Sequence, residues 1–336
     1  MRHRRILTAT ALTAAVVVSG LIAPSAAVGS TRGTEWRARS IAAFLAARSA
    51  DSGSETPHYY AYMAETSGKL NGWSHSYTQA YLSKLYSLVN PDGGWGLGYA
   101  YDAFGDGSIN PATTTYAVTL AGHVGPPLLA GYQAGAVPRA RVQTVVDLLV
   151  QMPRVPVDDG QCVAYSTEPA DGAGGMCVHN VNAGVGAFLD RAAQYGLGAT
   201  GMHRLITDIS VHEVHAYRPT AQWWPYQADG PDQDVDHQSY SAQSMYPLSY
   251  WVGREAVYRV MDVDWPDVHA AIAYARLTGT PGGVASWSRT SPGLPLWCEM
   301  GDRWTGRIDA YLAGPRTARQ LAQIALYSAR AWANCP

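Results

Sequence analysis

Phenylalanine is scarce in this chain, with three residues against 21 tyrosines and 11 tryptophans. A dry aromatic core would favour phenylalanine. Tyrosine and tryptophan carry polar tips that hydrogen-bond while their rings stack, so the bias points to a wet aromatic surface. Lysine is rarer still, two residues against 22 arginines, which fits a GC-rich coding sequence better than a site. An excess of positive charge is also missing: 24 basic and 26 acidic side chains leave a formal net charge of −2. That excludes the concentrated basic surface a nucleic-acid partner requires. Past residue 23 no apolar run is long enough to span a bilayer. Alternating strand-like runs bounded by hairpin turns are nearly absent, which leaves an all-α fold class.

The one long apolar stretch lies at the start. Arg2, Arg4 and Arg5 precede a mainly apolar run from Ile6 to Ala23, and Ser25-Ala26-Ala27 offers the small residues a signal peptidase needs. Residues 1–27 are therefore expected to be a signal peptide, with Arg4-Arg5 leaving both the general secretory and the twin-arginine routes open. The expected product is secreted, with no membrane association after cleavage. The remaining 28–336 suffices for one large domain. Four cysteines in an exported chain predict two disulfides, most simply Cys162 with Cys177 around a glycine-rich loop and Cys298 with Cys335 near the end. No local Cys/His spacing resembles a zinc site, and neither a metal nor another cofactor is expected.

Helical periodicity is clear in 36–50, 76–89, 138–152, 178–196, 202–217, 254–261, 268–277 and 315–333. A further helix is expected to begin near Pro111. Long loops rich in glycine and aromatics feed small-residue helices starting near Thr113, Val178, Asp236 and Arg303, a rhythm of roughly 57–70 residues. About five or six helical hairpins would use up the chain. Arranged in a ring, with small-residue helices inside and amphipathic ones outside, they would form an α/α toroid whose loops gather at one mouth.

The most informative stretch is WWPYQADGPDQDVDHQSYSAQSMYPLSY, residues 223–250. An aromatic cluster of Trp223, Trp224 and Tyr226 leads through three alternating carboxylates, Asp232, Asp234 and Asp236, onto an expected helix. Asp236 is the natural N-cap. His237, Tyr240 and Ser244 then share one face at i, i+3 and i+7, while Tyr246 sits across the helix. A histidine here suits a general base, which makes His237 the candidate; Tyr240 and Tyr246 suit proton donation. The three aspartates resemble the opening of a calcium loop, but Gln243 stands where that loop's glutamate belongs.

Other candidates lie one turn into the helix that follows Cys177 and His179, and on the loops. Asn180 and Asn182 could bind a substrate carboxylate or hydroxyl, or cap their helix. Asp102 or Asp106 with Asp234 or Asp236 could form the carboxylate pair of a glycoside hydrolase. Trp95, Trp223, Trp224, Trp287, Trp297 and Trp304, with Tyr101 and Tyr226, could stack on sugar rings.

DGPDQDVDHQSYSAQSMYPL resembles the His/Tyr helix of the α/α-toroid polysaccharide lyases of the hyaluronate and chondroitin lyase type. There a histidine and a tyrosine stand about nine residues apart, as His237 and Tyr246 do here. That family's order of asparagine, histidine, tyrosine and arginine is met by Asn180 or Asn182, His237, Tyr246, and Arg303 or Arg307. The resemblance implies that the asparagine neutralises a uronate carboxylate, the histidine or tyrosine removes the C5 proton, tyrosine protonates the leaving oxygen and arginine steadies it. GWGLGYAYDAF, NPATTTY, TEP and VHNVNA are similar to toroids of the glucuronyl epimerase and linalool dehydratase type. The expectation is thus a secreted glycan-active enzyme, foremost a lyase on uronate-containing polysaccharide. The alternatives are a paired-aspartate hydrolase, an epimerase- or dehydratase-like enzyme, and a non-catalytic glycan-binding module. The expected partner is a polysaccharide or oligosaccharide.

Overall fold

The structure is a computed structural model that describes residues 31–172, 175–218 and 314–334, together with 224–227, 230, 233, 237, 241, 244, 245 and 248. The expectations for the signal segment and for the helices at 254–261 and 268–277 lie outside those residues. What is described is mostly helical. None of these helices is long and apolar enough to cross a membrane. The elements are α1 (Thr31–Ser49), α2 (Pro57–Asn71), α3 (Ser76–Ser87), a π-helical turn (Thr119–Val124) running into α4 (Gly125–Gln133), α5 (Arg139–Gln151), the short α6 (Pro169–Gly172), α7 (His179–Gln194), α8 (Met202–Ala216) and α9 (Ala318–Asn334). Two antiparallel pairs of two-residue strands, β1 (Tyr101–Asp102) with β2 (Ile109–Asn110) and β3 (Arg154–Val155) with β4 (Cys162–Val163), pin the long loops.

Two kinds of helix alternate. In α5 the buried residues Val142, Val145, Val146 and Leu149 form one stripe, and α8 buries Leu205, Ile206 and Ile209 in the same way. By contrast, α2 is buried from Pro57 to Gly68 and α7 along most of its length. A helix enclosed on all sides carries no amphipathic signature, which is why α2, with its HYYAYM run, escapes periodicity. The enclosed helices are neighbours: α9 packs on α2, α2 on the π-helical turn and α4, and these on α7. The helical residues beyond His237 continue the series. A Cβ at Gly186 of α7 would come within 3.1 Å of Leu248 and 3.0 Å of Ile209, so a small residue is required for that approach.

Two polar links join the ends of the chain. Ser40 in α1 donates to the Ala325 carbonyl of α9 at 2.8 Å. Arg330 of α9 reaches Glu65 of α2 through Nε at 2.8 Å and Nη2 at 2.5 Å. Burial alone would raise the Glu65 carboxyl, but the Arg330 guanidinium more than offsets it and holds the group down at about 2.

The helix expected near Pro111 begins later. Residues 111–115 are irregular, and Tyr116 forms a bridge with Ser166 before the helix starts at residue 117. The cause is local: Thr114 Oγ1 donates to Glu168 at 2.7 Å and Thr115 Oγ1 to Asp92 at 2.8 Å. These hydroxyls hold the backbone in a loop conformation that competes with the helix.

Candidate functional site at the start of α7

The loops are stitched together at the N-terminal ends of the enclosed helices. Tyr116 N–H donates to Trp95 O at 3.2 Å, Thr167 N–H to Thr115 O at 3.0 Å and Ala117 N–H to Tyr165 O at 2.9 Å. His179 N–H donates in the same way to Tyr226 O at 3.2 Å. The bridge between Tyr116 and Ser166 recurs between Val178 and Gln227, a repeat of about sixty residues. Two of the expected junctions between loop and enclosed helix thus share one backbone pairing.

At the second of these junctions two predicted residues meet, and a third lies next to it in sequence. The His237 ring, half-buried, packs edge-on against Tyr226 with centroids 4.9 Å apart. Tyr226 is fastened by its carbonyl to the first residue of α7. The next residue, Asn180, is 7% exposed, and its side-chain oxygen is buried without a hydrogen-bond partner. A buried amide oxygen left unsatisfied marks a place where a ligand hydroxyl or acid proton would be welcome. Tyr165 lies beside Tyr226, Tyr101, Tyr116 and Tyr99, and burial raises its phenol well above the usual range. Phe104 packs on Tyr165, and the partly exposed rings of Tyr99 and Tyr101 lie edge to face.

Other expected site residues turn out to be structural. Trp95 is 1% exposed, and its indole donates to Leu85 O at 2.8 Å. Trp224 is equally buried and donates to Glu213 O at 2.8 Å. Neither has a face to offer a sugar; both are core plugs. Asn182 is wholly buried, accepting from Val163 N–H and donating to Gln161 O and Glu213 Oε1, so its amide clamps the 161–163 loop to α7 and α8. The Asp102 carboxylate accepts the N–H groups of Gly105, Asp106 and Gly107 and organises its own turn. Asp106 is likewise tied to Ser108, whose hydroxyl holds its carboxyl below the ordinary range. Cys162 and Cys177 are joined in the expected disulfide. Tyr240, Tyr246, Asp236, Arg303, Trp223, Trp304, Cys298 and Cys335 lie outside the described residues.

Two clusters were not foreseen. Behind Tyr226, the start of α7 and the end of α8 bring together Cys177, His179, His212 and Glu213, all buried. Further along, His58 Nε2 and Thr119 Oγ1 are 3.0 Å apart, Tyr62 OH and His123 Nδ1 also 3.0 Å, and the His58 and His123 rings stand 4.1 Å apart. His123 projects from the π-helical turn, a wide segment of the kind often found at functional sites.

Comparison of the chain with family models, with curated proteins and with solved structures finds no match.

Proposed function

We propose that this chain is an exported carbohydrate-active enzyme of α/α-toroid architecture that cleaves a uronate-containing polysaccharide by acid/base elimination at the start of α7. The observation that carries the proposal is the packing of the His237 ring on Tyr226, whose carbonyl is bonded to the first residue of α7, next in sequence to Asn180 with its buried, unpartnered amide oxygen, and with Tyr165 and its neighbouring tyrosines beside it. In this reading a uronate ring stacks on the tyrosine-lined mouth. Asn180 binds its carboxyl group and thereby acidifies the C5 proton. His237 accepts that proton, and Tyr226 donates one to the departing glycosidic oxygen. Tyr226 takes the part that the resemblance to the polysaccharide lyases gives to Tyr246. Arg303 remains the candidate for steadying the leaving group. The toroidal ring is supported by the side-by-side series α9, α2, α4, α7 and by the sixty-residue repeat.

A second reading shares the first half of this chemistry. Two of the motifs similar to epimerase and dehydratase toroids bond to one another, Thr114 of NPATTTY on Glu168 of TEP, and beside them Asn110 and Ser166 donate to the buried Asp171. An epimerase would abstract the same C5 proton and return one to the opposite face. One panel of uronate polymers separates the possibilities. Ultraviolet absorbance of an unsaturated uronate signals elimination, and solvent deuterium entering C5 without absorbance signals epimerisation. New reducing ends alone mean hydrolysis. Binding without any turnover means a glycan-binding module, and no binding at all refutes the glycan reading.

A further inference from the structure

The buried cluster behind Tyr226 is independent of the reaction proposed above. Two of the six edges between its donor atoms already have the length a tetrahedral metal imposes, and the remaining ones are no longer than 4.8 Å. With metal–nitrogen and metal–oxygen bonds of about 2.0–2.1 Å and a metal–sulfur bond of about 2.3 Å, the edges of the tetrahedron measure about 3.3–3.6 Å. His179 Nδ1 is 3.2 and 3.3 Å from the two Glu213 oxygens, and His212 Nε2 is 3.4 Å from Cys177 Sγ. All four ligand atoms fall within 4.8 Å of one another.

The surroundings are those of a supported metal site. His212 Nδ1 faces two oxygens of Asp159, the carbonyl at 3.1 Å and the carboxylate at 3.4 Å, and therefore carries the ring proton. Its Nε2 lone pair is then aimed at a disulfide sulfur, which has no proton to give. Asn182 Nδ2 donates to Glu213 Oε1 at 2.8 Å and orients that carboxylate from outside. Partners of this kind fix the rings and carboxylates of metal ligands.

Charge decides when the site would fill. With the disulfide closed, Glu213 alone would face a divalent cation in a fully buried place, leaving an uncompensated positive charge. An open disulfide adds a thiolate, and two negative ligands neutralise the ion. We propose that Cys177 has two alternative partners, Cys162 in the disulfide, or a zinc-class divalent cation completed by His179, His212 and Glu213. A dithiol or phosphine reductant supplies two electrons to the disulfide and yields two thiols. Metal binding then releases the Cys177 thiol proton to solvent, while His179 offers its Nδ1 lone pair with the ring proton on Nε2.

The test uses the full mature chain carrying Cys162→Ser, purified without reductant, and cobalt(II) as a spectroscopic probe. One equivalent of cobalt is expected to give a sulfur-to-metal charge-transfer band and a tetrahedral ligand-field spectrum. Zinc should displace it, and Glu213→Gln should abolish it. Asp159→Ala in the same background should weaken affinity on the order of ten- to a hundredfold. The oxidised wild type should show neither band. If Cys162→Ser fails to fold, wild-type protein opened with a phosphine gives the same readout. A folded, open form that takes up no cobalt overturns the proposal, as does equal uptake by the oxidised protein.

Discussion

Arg330→Met tests how the two ends of the chain are held together. Glu65 and Arg330 are 265 residues apart, and their side chains are 6% and 14% exposed. Removing the guanidinium leaves a buried carboxylate with Lys69 Nζ at 3.9 Å and the weaker field of Arg191. Breaking a buried pair from one side costs about 3–5 kcal/mol, because the remaining charge stays desolvated. The pH dependence gives a second measure. The carboxyl is depressed from 4.5 to about 2, worth about 3 kcal/mol at about 1.4 kcal/mol per unit. A depressed folded value means that this contribution is fully present above about pH 4.5 and is lost as pH falls toward 2. In Arg330→Met, burial instead raises the Glu65 carboxyl, so the deficit relative to wild type is largest at neutral pH and narrows in acid. Urea denaturation of both proteins between pH 7 and pH 3 reads this directly. Replacing both partners by methionine should bring stability back to within about 1 kcal/mol of wild type. A loss below about 1 kcal/mol for Arg330→Met at neutral pH, with no narrowing in acid, would refute the reasoning.

Other substitutions separate structure from site. Trp95→Ala should cost about 3–5 kcal/mol in chemical denaturation, as for a large aromatic removed from a core, and should not selectively weaken glycan affinity at temperatures where the variant is folded. Gly160 has φ +62, and a Cβ there would run into the Asp208 carbonyl. Gly160→Ala should therefore lose about 1–3 kcal/mol, measured by thermal unfolding. Asn180→Leu removes a buried amide oxygen without a partner and should leave the unfolding free energy unchanged or raise it by about 1 kcal/mol at most, measured by urea denaturation. The same variant should lose turnover; activity retained at full rate would remove Asn180 from the site.

Amphipathic helices were legible because only one stripe of each is buried: α3, α5 and α8 show it in sequence. The enclosed α2 was not, since Tyr59, Tyr60, Tyr62 and Met63 are all buried and no face is polar. Threonine hydroxyls shifted the start of the next helix in a way that composition does not reveal. The 223–250 stretch named Tyr226 and His237, which pack ring against ring, and the small-residue helix after Cys177 named Asn180, the second residue of α7. Loop tryptophans misled, because long loops fold back over helix ends, where Trp95 and Trp224 satisfy their N–H groups on backbone carbonyls. The Cys177, His179, His212 and Glu213 cluster has no local spacing to find, since its halves lie some 35 residues apart and meet only because α7 and α8 pack together.

The most direct test of the central claim is the initial rate of unsaturated uronate formation by wild type and His237→Ala on the same polymer, with unchanged melting temperatures. A loss of about a hundredfold or more is predicted for the variant. Equal rates, or no unsaturated product from wild type on any uronate polymer, would contradict the account.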